Sequence, residues 1–467
     1  MLTEVKNHTI NENKTNSKKL YIQSYGCQMN FSDSEVVASI LKKEGYDTTS
    51  NPNEASLILI NTCSIREKAE QTVRRRISDF KKNKLENDDL IIGILGCMAE
   101  RLKEKFLEQE KIVDLVIGPD AYRDLPKLIK QTKDGRKAVN VILSKEETYG
   151  DINPIRLNSN GVNAFASIMR GCDNMCSFCV VPFTRGRERS RDPKSILSEI
   201  NNLNKSGFKE VTLLGQNVDS YLWFGGGAKK DFMKKKIDCE VVGFSDLLEK
   251  VAKQNPKMRI RFSTSNPQDM KDDVLKVISK YENLCNYIHL PVQSGSSKIL
   301  ELMNRGHTRE WYLNRINAIN KFIPECGISS DFITGFCNEN EQDHKETLSL
   351  MEVVKYNFSY MFYYSERPNT LAQRKYDDNV PLNVKKRRLQ EIIDLQQKHS
   401  LWRNQKKIEK KYQVLTEGIS KKSDKKFYGR TSDNTVVVFN KKLTSIGDFV
   451  DIKIKDCTSA TLIGEII

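Results

Sequence analysis

Short apolar runs alternate with amphipathic stretches through the first third of the chain. Leu20–Tyr25, Leu57–Asn61, Leu90–Leu95 and Leu115–Ile117 read as short buried strands, because each opens on a run of at least three apolar residues, which suits a strand covered on both faces. Between them, Asp33–Lys43, Arg66–Phe80 and Ala99–Gln109 repeat their apolar positions at helical spacing. Strand–helix alternation of this kind predicts a small α/β domain with a parallel sheet. Residues 132 to 162 are mixed and turn-rich, and read as a linker with one hairpin.

A second alternating series starts near Ala164. Its strand candidates are Ala164–Met169, Val211–Leu214, Arg259–Ser263, Tyr287–Leu290, Gly327–Ile333 and Phe358–Tyr363. Asp192-Pro193 has the form of an N-cap followed by proline at the first helical position, and Asp343–Val354 is a further helix. About six strand–helix units predict a partial parallel barrel. The stretch from Trp223 to Val242, with three consecutive glycines and a lysine run, reads as a surface insertion. Pro381–Lys411 is a charged helical connector. Beyond it, Tyr412–Thr416, Thr435–Phe439, Phe449–Ile454 and Ala460–Ile466 are short strands between turns, which predicts a small β-barrel. The domain limits expected are 18–134, 158–400 and 403–467.

Composition narrows the function. The chain has 467 residues and a net charge of +15, although Lys and Asn are abundant along its whole length. The terminal barrel region, 403–467, holds 14 Lys or Arg against 8 Asp or Glu, an excess that suits a polyanion. No stretch approaches the roughly 18 apolar residues of a membrane helix, and the first 19 residues carry no apolar signal core. A cytoplasmic protein is expected. Its eleven cysteines then point to metal binding wherever they cluster, since a reducing compartment disfavours disulfides.

Two cysteine sets stand out. Cys172-x-x-x-Cys176-x-x-Cys179 follows a predicted strand. Three thiolates this close suit three irons of a 4Fe–4S cluster and leave the fourth open. A structural zinc site would call for a fourth nearby Cys or His, and none is close in sequence. Cys27, Cys63 and Cys97 are far apart in sequence, yet each follows a predicted strand in successive units. In a parallel sheet those carboxyl ends share one edge, which brings the three thiols together. The other reading is three unrelated buried cysteines. Cys239, Cys285, Cys326, Cys337 and Cys457 show no pattern.

The spacing Cys172, Cys176, Cys179, with Phe178 before the last cysteine, resembles the radical S-adenosylmethionine (SAM) superfamily. Ser24-Tyr25-Gly26-Cys27-Gln28-Met29-Asn30, Asn61-Thr62-Cys63 and Gly96-Cys97 resemble the N-terminal domain of its methylthiotransferase family, and the last segment resembles a TRAM RNA-binding barrel. The resemblance implies two 4Fe–4S clusters, on Cys172, Cys176 and Cys179 and on Cys27, Cys63 and Cys97. SAM would serve both as methyl donor and as source of a 5′-deoxyadenosyl radical. Gln216 and Asn217 in Leu214-Gly215-Gln216-Asn217 stand where the superfamily commonly binds the SAM amino group. The string from Cys179 to Arg191 resembles the subfamily that modifies carbon 2 of isopentenylated adenosine at tRNA position 37. Related subfamilies act on threonylcarbamoyl-adenosine or on a ribosomal protein. Implied partners are the anticodon stem-loop of tRNA and an electron donor such as a flavodoxin or ferredoxin; a monomer with no membrane association is expected. The arginines of the Cys179–Arg191 string are candidates for phosphate contact. Ser263-Thr264-Ser265 and Gln293-Ser294-Gly295 are candidate contacts to SAM or adenine, though such residues at strand ends are more often turn formers. His289 reads as a satisfied core histidine. Asn338 and Asn369 stand where the family usually has glycine, and Cys337 where it has proline.

Overall fold

A computed structural model describes residues 18–63, 67–157, 159–235, 240–263 and 265–467. The apolar runs of the first segment form the centre of a six-stranded parallel sheet, ordered Tyr46–Thr48, Lys18–Ser24, Leu57–Thr62, Ile91–Gly96, Leu115–Ile117, Ala138–Asn140. Leu57–Thr62 and Ile91–Gly96 are buried along their whole length, with an apolar cluster on each face of the sheet.

The local reading needs three corrections here. The expected hairpin in 132–162 is instead the single strand Ala138–Asn140, which adds in parallel to Leu115–Ile117; three residues are too few to show a period of their own. Ala99–Gln109 is two helices, Cys97–Leu102 and Glu104–Gln109, separated by Lys103 at φ +52°, and no glycine or proline marks the break. The first helix begins at Gln28 rather than Asp33. Its opening turns bury Asn30, Ser32, Asp33, Ser34 and Glu35, so hydrophobic periodicity cannot show them.

The second series forms two three-stranded parallel sheets. Asn163–Ser167, Glu210–Leu214 and Arg259–Ser263 make one; Tyr287–His289, Gly327–Thr334 and Phe358–Tyr363 make the other. A parallel bridge between Ile260 and Leu284 joins them, giving a six-stranded partial barrel. Val211, Leu213, Ile260, Phe262, Ile288, Ile328 and Phe332 turn outward into the largest apolar cluster, beneath the helices. Asp192 caps Pro193–Lys205, accepting from the Lys194 N–H at 2.8 Å. In the insertion, Leu222–Trp223 pairs with Val242–Gly243 and Lys229–Lys235 is helical; Cys239 lies outside the described residues.

Helix Leu382–Gln405 leads to a closed five-stranded barrel, Lys411–Ser420, Ser423–Arg430, Val436–Asn440, Leu462–Ile466 and Phe449–Cys457 in that order. Ser423–Arg430 escapes the sequence reading because four of its eight residues are charged. This barrel closes the floor of the larger one. Arg259 donates to the carbonyl of Arg430 at 2.7 Å, and Arg261 to those of Thr431 and Ser432 at 2.6 and 3.0 Å. Buried Glu210 accepts from both Arg261 (2.8 Å) and Arg430 (3.3 Å). Burial resists these charges, but the paired guanidinium groups keep the Glu210 carboxyl below its ordinary range.

Candidate functional site

Sheet order brings the carboxyl ends of Lys18–Ser24, Leu57–Thr62 and Ile91–Gly96 side by side. Cys27 stands at the N-cap of helix Gln28–Lys42, Cys63 follows Leu57–Thr62, and Cys97 opens helix Cys97–Leu102. Cys63 lies beside Cys27, and with the nearby Arg185 and Asn30 it outweighs burial and draws the Cys27 thiol down to about 6. Gly26 makes the approach of the two cysteines possible. Its φ is +115°, and a Cβ there would lie 2.2 Å from Cys63 Cβ. The Cys27 thiol donates to Asn30 Oδ1 at 3.2 Å. Asn30 in turn donates to Asn61 Oδ1 (3.0 Å) and to the Thr62 carbonyl (2.8 Å), which ties two of the cysteine-bearing turns together. Arg185 reaches in from the partial barrel and donates from Nε to Cys97 Sγ at 3.3 Å. Burial pushes the Cys97 thiol up, against the pull of Arg185.

Cys172, Cys176 and Cys179 occupy the loop after the short strand Met169–Arg170. Gly171 lets the loop turn back on itself: its φ is +74°, and a Cβ would meet the Arg187 carbonyl oxygen at 2.0 Å. The Cys179 N–H donates to the Cys176 carbonyl (3.0 Å), and Ser177 is anchored to the carbonyls of Leu302 and Met303. Buried Arg305 donates to Cys176 Sγ at 3.3 Å and to the Pro291 carbonyl at 2.6 Å. Burial, then the neighbouring Cys176, pushes the Cys179 thiol up to about 12; Cys97 acts on it in the same direction. Helix Cys97–Leu102 packs on the short helix Val181–Thr184 that follows Cys179, so the two cysteine sets are neighbours at the domain junction.

Cys27 is exposed and Cys176 and Cys179 half-exposed, although protein atoms crowd around Cys27 and Cys179; these thiols line a recess. None of the described cysteines is in a disulfide. Among the described residues no three Cys, His, Asp or Glu side chains converge as the ligands of one ion do. A cuboidal cluster spaces its thiolates more widely than a single ion does. Three soft sulfur donors in each set, on a solvent-reached recess with a guanidinium donating to one sulfur, fit a 4Fe–4S cluster with an open iron.

The junction itself is a buried charge lattice. Arg170 (2% exposed) and Arg185 both hold Asp33 at 2.8 Å. Arg189 (fully buried) holds Asp120, which Arg170 also approaches at 3.5 Å. Arg170 lies over the Tyr149 ring at 4.9 Å, and Arg191 pairs with Glu199. This corrects the reading of the Cys179–Arg191 arginines as phosphate contacts. Arg185, Arg189 and Arg191 are turned inward; only Arg187, paired with Asp173 at 3.2 Å, is substantially exposed. Sequence reasoning missed Asp33, Asp120 and the Asn30–Asn61 pair, although Asn30 and Asn61 belong to the strings that carry the family resemblance. Asp33→Ala is expected to cost about 3–5 kcal/mol, because it strips a buried guanidinium of its carboxylate. Denaturant titration would read this, and an unchanged midpoint would show that the lattice does not hold the domains together.

At the end of Glu210–Leu214, the Gln216 Oε1 is buried without a hydrogen-bond partner. Asn217 is already committed: its amide donates to Asp269 at 2.6 Å and accepts from the Asn266 N–H at 3.0 Å. Ser265 bonds to Asp219 at 3.0 Å, and Thr264 lies outside the described residues. The Gln293 N–H and carbonyl bond to the backbone of Asp331 and Ile333, and Gly295 N–H bonds to Thr347, so both act in the turn. Buried His289 bonds to Ser329 at 2.8 Å and approaches Asp331 at 3.4 Å. Asn338 and Asn369 adopt φ +62° and +67°; they keep the left-handed turns that glycine makes elsewhere. Asn338 is further braced by Asn379 (2.7 Å).

Comparison with known proteins follows this geometry. Family models match at residues 19–118 (uncharacterized protein family UPF0004), 166–351 (radical SAM superfamily) and 405–467 (TRAM domain). The chain is 65% identical over 453 residues to the tRNA-2-methylthio-N(6)-dimethylallyladenosine synthase of Christiangramia forsetii, covering 96% of this chain and 94% of that one. It is 61% identical over 459 residues to the protein of the same name from Flavobacterium johnsoniae, covering 98% and 95%. Among solved structures, the radical S-adenosylmethionine methyltransferase TsrM from Kitasatospora setae, with cobalamin and a [4Fe–4S] cluster bound, aligns with a TM-score of 0.55. The identity is 11%, over 76% of this chain and 77% of that one, a likeness of fold alone.

Proposed function

The chain belongs to the tRNA-2-methylthio-N(6)-dimethylallyladenosine synthase family of radical SAM enzymes, and from that premise we propose how its residues carry out the methylthiolation of isopentenyladenosine in tRNA. The enzyme uses SAM and a 4Fe–4S cluster; we assign that cluster to Cys172, Cys176 and Cys179 and a second one to Cys27, Cys63 and Cys97. Held there, the first cluster would supply the electron for reductive cleavage of SAM, and the second would supply the sulfur chemistry of the transfer. The observation that supports the pairing is the packing of helix Cys97–Leu102 on Val181–Thr184, directly after Cys179, at the junction.

The protein's own part is position. The Asp33–Arg170–Arg185 lattice fixes the separation of the two cysteine sets, on which transfer to a carbon radical depends steeply. Gln216 Oε1, an acceptor with no protein partner, is placed to take the SAM amino group, while Asn217 braces the turn that presents it. Arg185 and Arg305 each aim a guanidinium at one thiol, an arrangement that favours the more negative state of whatever that sulfur binds. The floor formed by residues 430–434 seals the barrel opposite the recess and restricts water. The reductant fits a flavodoxin or ferredoxin, and the enzyme acts as a monomer in the cytoplasm.

Nucleosides from a deletion strain provide the test. Loss of 2-methylthio-isopentenyladenosine by mass spectrometry, with isopentenyladenosine accumulating in its place, is the expected result. An undiminished 2-methylthio-isopentenyladenosine level, with threonylcarbamoyl-adenosine or a ribosomal protein left unmodified instead, would reject it.

A further inference from the structure

The inner face of the last barrel strand, Phe358–Tyr363, holds aromatic surface that the protein does not cover. Register pairs His289 with Ser329, Ser329 with Phe358 and Asp331 with Tyr360. These residues share the face that lines the barrel interior, opposite Ile288, Ile328 and Phe332 in the core. Phe358 is 48% and Tyr360 47% exposed. Their rings meet edge to face at 4.9 Å, and Tyr360 meets the His289 ring at 5.8 Å. Both rings are thus held in place by contacts on one side and open on the other. Among the described residues the first and last barrel strands do not pair, so the rings lie along the unclosed side of the barrel.

A second feature adjoins them. Asn357, next to Phe358 in the chain, lines a cavity of about 950 Å³ at the seam with the C-terminal barrel. Seven Lys or Arg but only three Asp or Glu line it, together with the exposed Trp402. The open aromatic pair offers the stacking surface that unpaired bases take, and the seam cavity beyond the strand adds a positive field nearby, although Lys355, Lys407 and Lys410 there are paired with Glu352, Asp433 and Glu325.

We propose that Phe358 and Tyr360 form a stacking platform for the unpaired bases flanking the target adenosine. This rests on the reading of the chain as a tRNA-modifying enzyme. Carbon 2 of the adenine reaches the barrel interior only if its nucleotide leaves the loop stack. The neighbouring bases then lose a stacking partner, and two rings fixed at the barrel's open side replace it without regard to base identity. The partial barrel itself, rather than the C-terminal domain alone, therefore holds the loop.

The test uses the reconstituted full-length enzyme and an anticodon stem-loop RNA carrying isopentenyladenosine, with affinity measured by fluorescence anisotropy at one fixed salt concentration. Phe358→Leu and Tyr360→Leu keep apolar bulk but remove the ring, and each is expected to weaken binding on the order of tenfold. Tyr360→Phe keeps the ring and is expected to bind like the parent, with all variants melting within a few degrees of it. Leucine variants that bind within twofold of the parent would overturn the platform. So would a self-association of the parent, detected by sedimentation, that the leucine variants abolish, because the surface would then serve a second copy. If the parent neither binds nor modifies this RNA, the tRNA assignment falls as well, which separates the two failures.

Discussion

Replacing Cys172, Cys176 and Cys179 together by alanine is expected to abolish the formation of 5′-deoxyadenosine from SAM under reductant and to lower the iron content from about eight to about four per chain. The first loss follows from the chemistry. No acid–base side chain can cleave the SAM sulfonium bond homolytically, so no other group in the barrel compensates. The second follows from the fold. The remaining thiols sit on a separate sheet whose strands pair only with one another, and Arg185, which reaches Cys97 from the barrel, is not among the residues replaced. Ser177 still bonds to Leu302 and Met303, so the loop retains an anchor without its cysteines. Iron and sulfide analysis with chromatography of the adenosine product measures both. A triple variant that still yields 5′-deoxyadenosine would remove these residues from radical generation.

The complementary variant, Cys27, Cys63 and Cys97 to alanine, is expected to keep SAM cleavage and about four irons while making no 2-methylthio nucleoside. The loss should exceed the roughly 10–100-fold that follows from disturbing a residue that merely supports a ligand. Cys27 donates to Asn30, so its single replacement also frees the residue that ties the turns of Cys27 and Cys63 together. Cys97→Ala disturbs least, and gives the cleanest single-site reading. An outcome in which this set can be removed without loss of methylthio product would leave a SAM-cleaving barrel with no place for sulfur. Asp33→Asn offers a useful contrast. It keeps both thiol sets but weakens the lattice between them, so it is expected to lower product more than SAM cleavage.

Much of the fold can be read in the chain because buried parallel strands are dense in apolar residues. Leu57–Thr62 and Ile91–Gly96 have no exposed face, and their runs declare them. The limits fail where that signal is absent, as in Ala138–Asn140, which is too short, and Ser423–Arg430, whose charges point outward. Burial of Asn30, Asp33 and Glu35 in the first helix inverts the usual rule, because each finds a distant partner: Asn30 meets Asn61, Glu35 meets Arg156, and Asp33 meets Arg170 and Arg185 of the barrel. The arginines of the Cys179–Arg191 string show the same limit. A run of cations looks like a surface for phosphates until the carboxylates that neutralise it, Asp33, Asp120 and Glu199, are brought from 69 or more residues away or from the next helix. Asn338 and Asn369 show the reverse: the sequence departs from the glycine expected there, and the backbone keeps the turn.

The sequence alone determined the α/β, barrel and β-barrel succession and the three-cysteine loop, because hydrophobic period and close ligand spacing are local properties of the chain. Tertiary structure alone decided that the helix of Cys97 packs beside the loop of Cys179 and that Arg185 and Arg305 reach the two thiol sets. Each of these is a meeting of residues far apart in sequence, and only the parallel register and the packing of domain on domain bring them together.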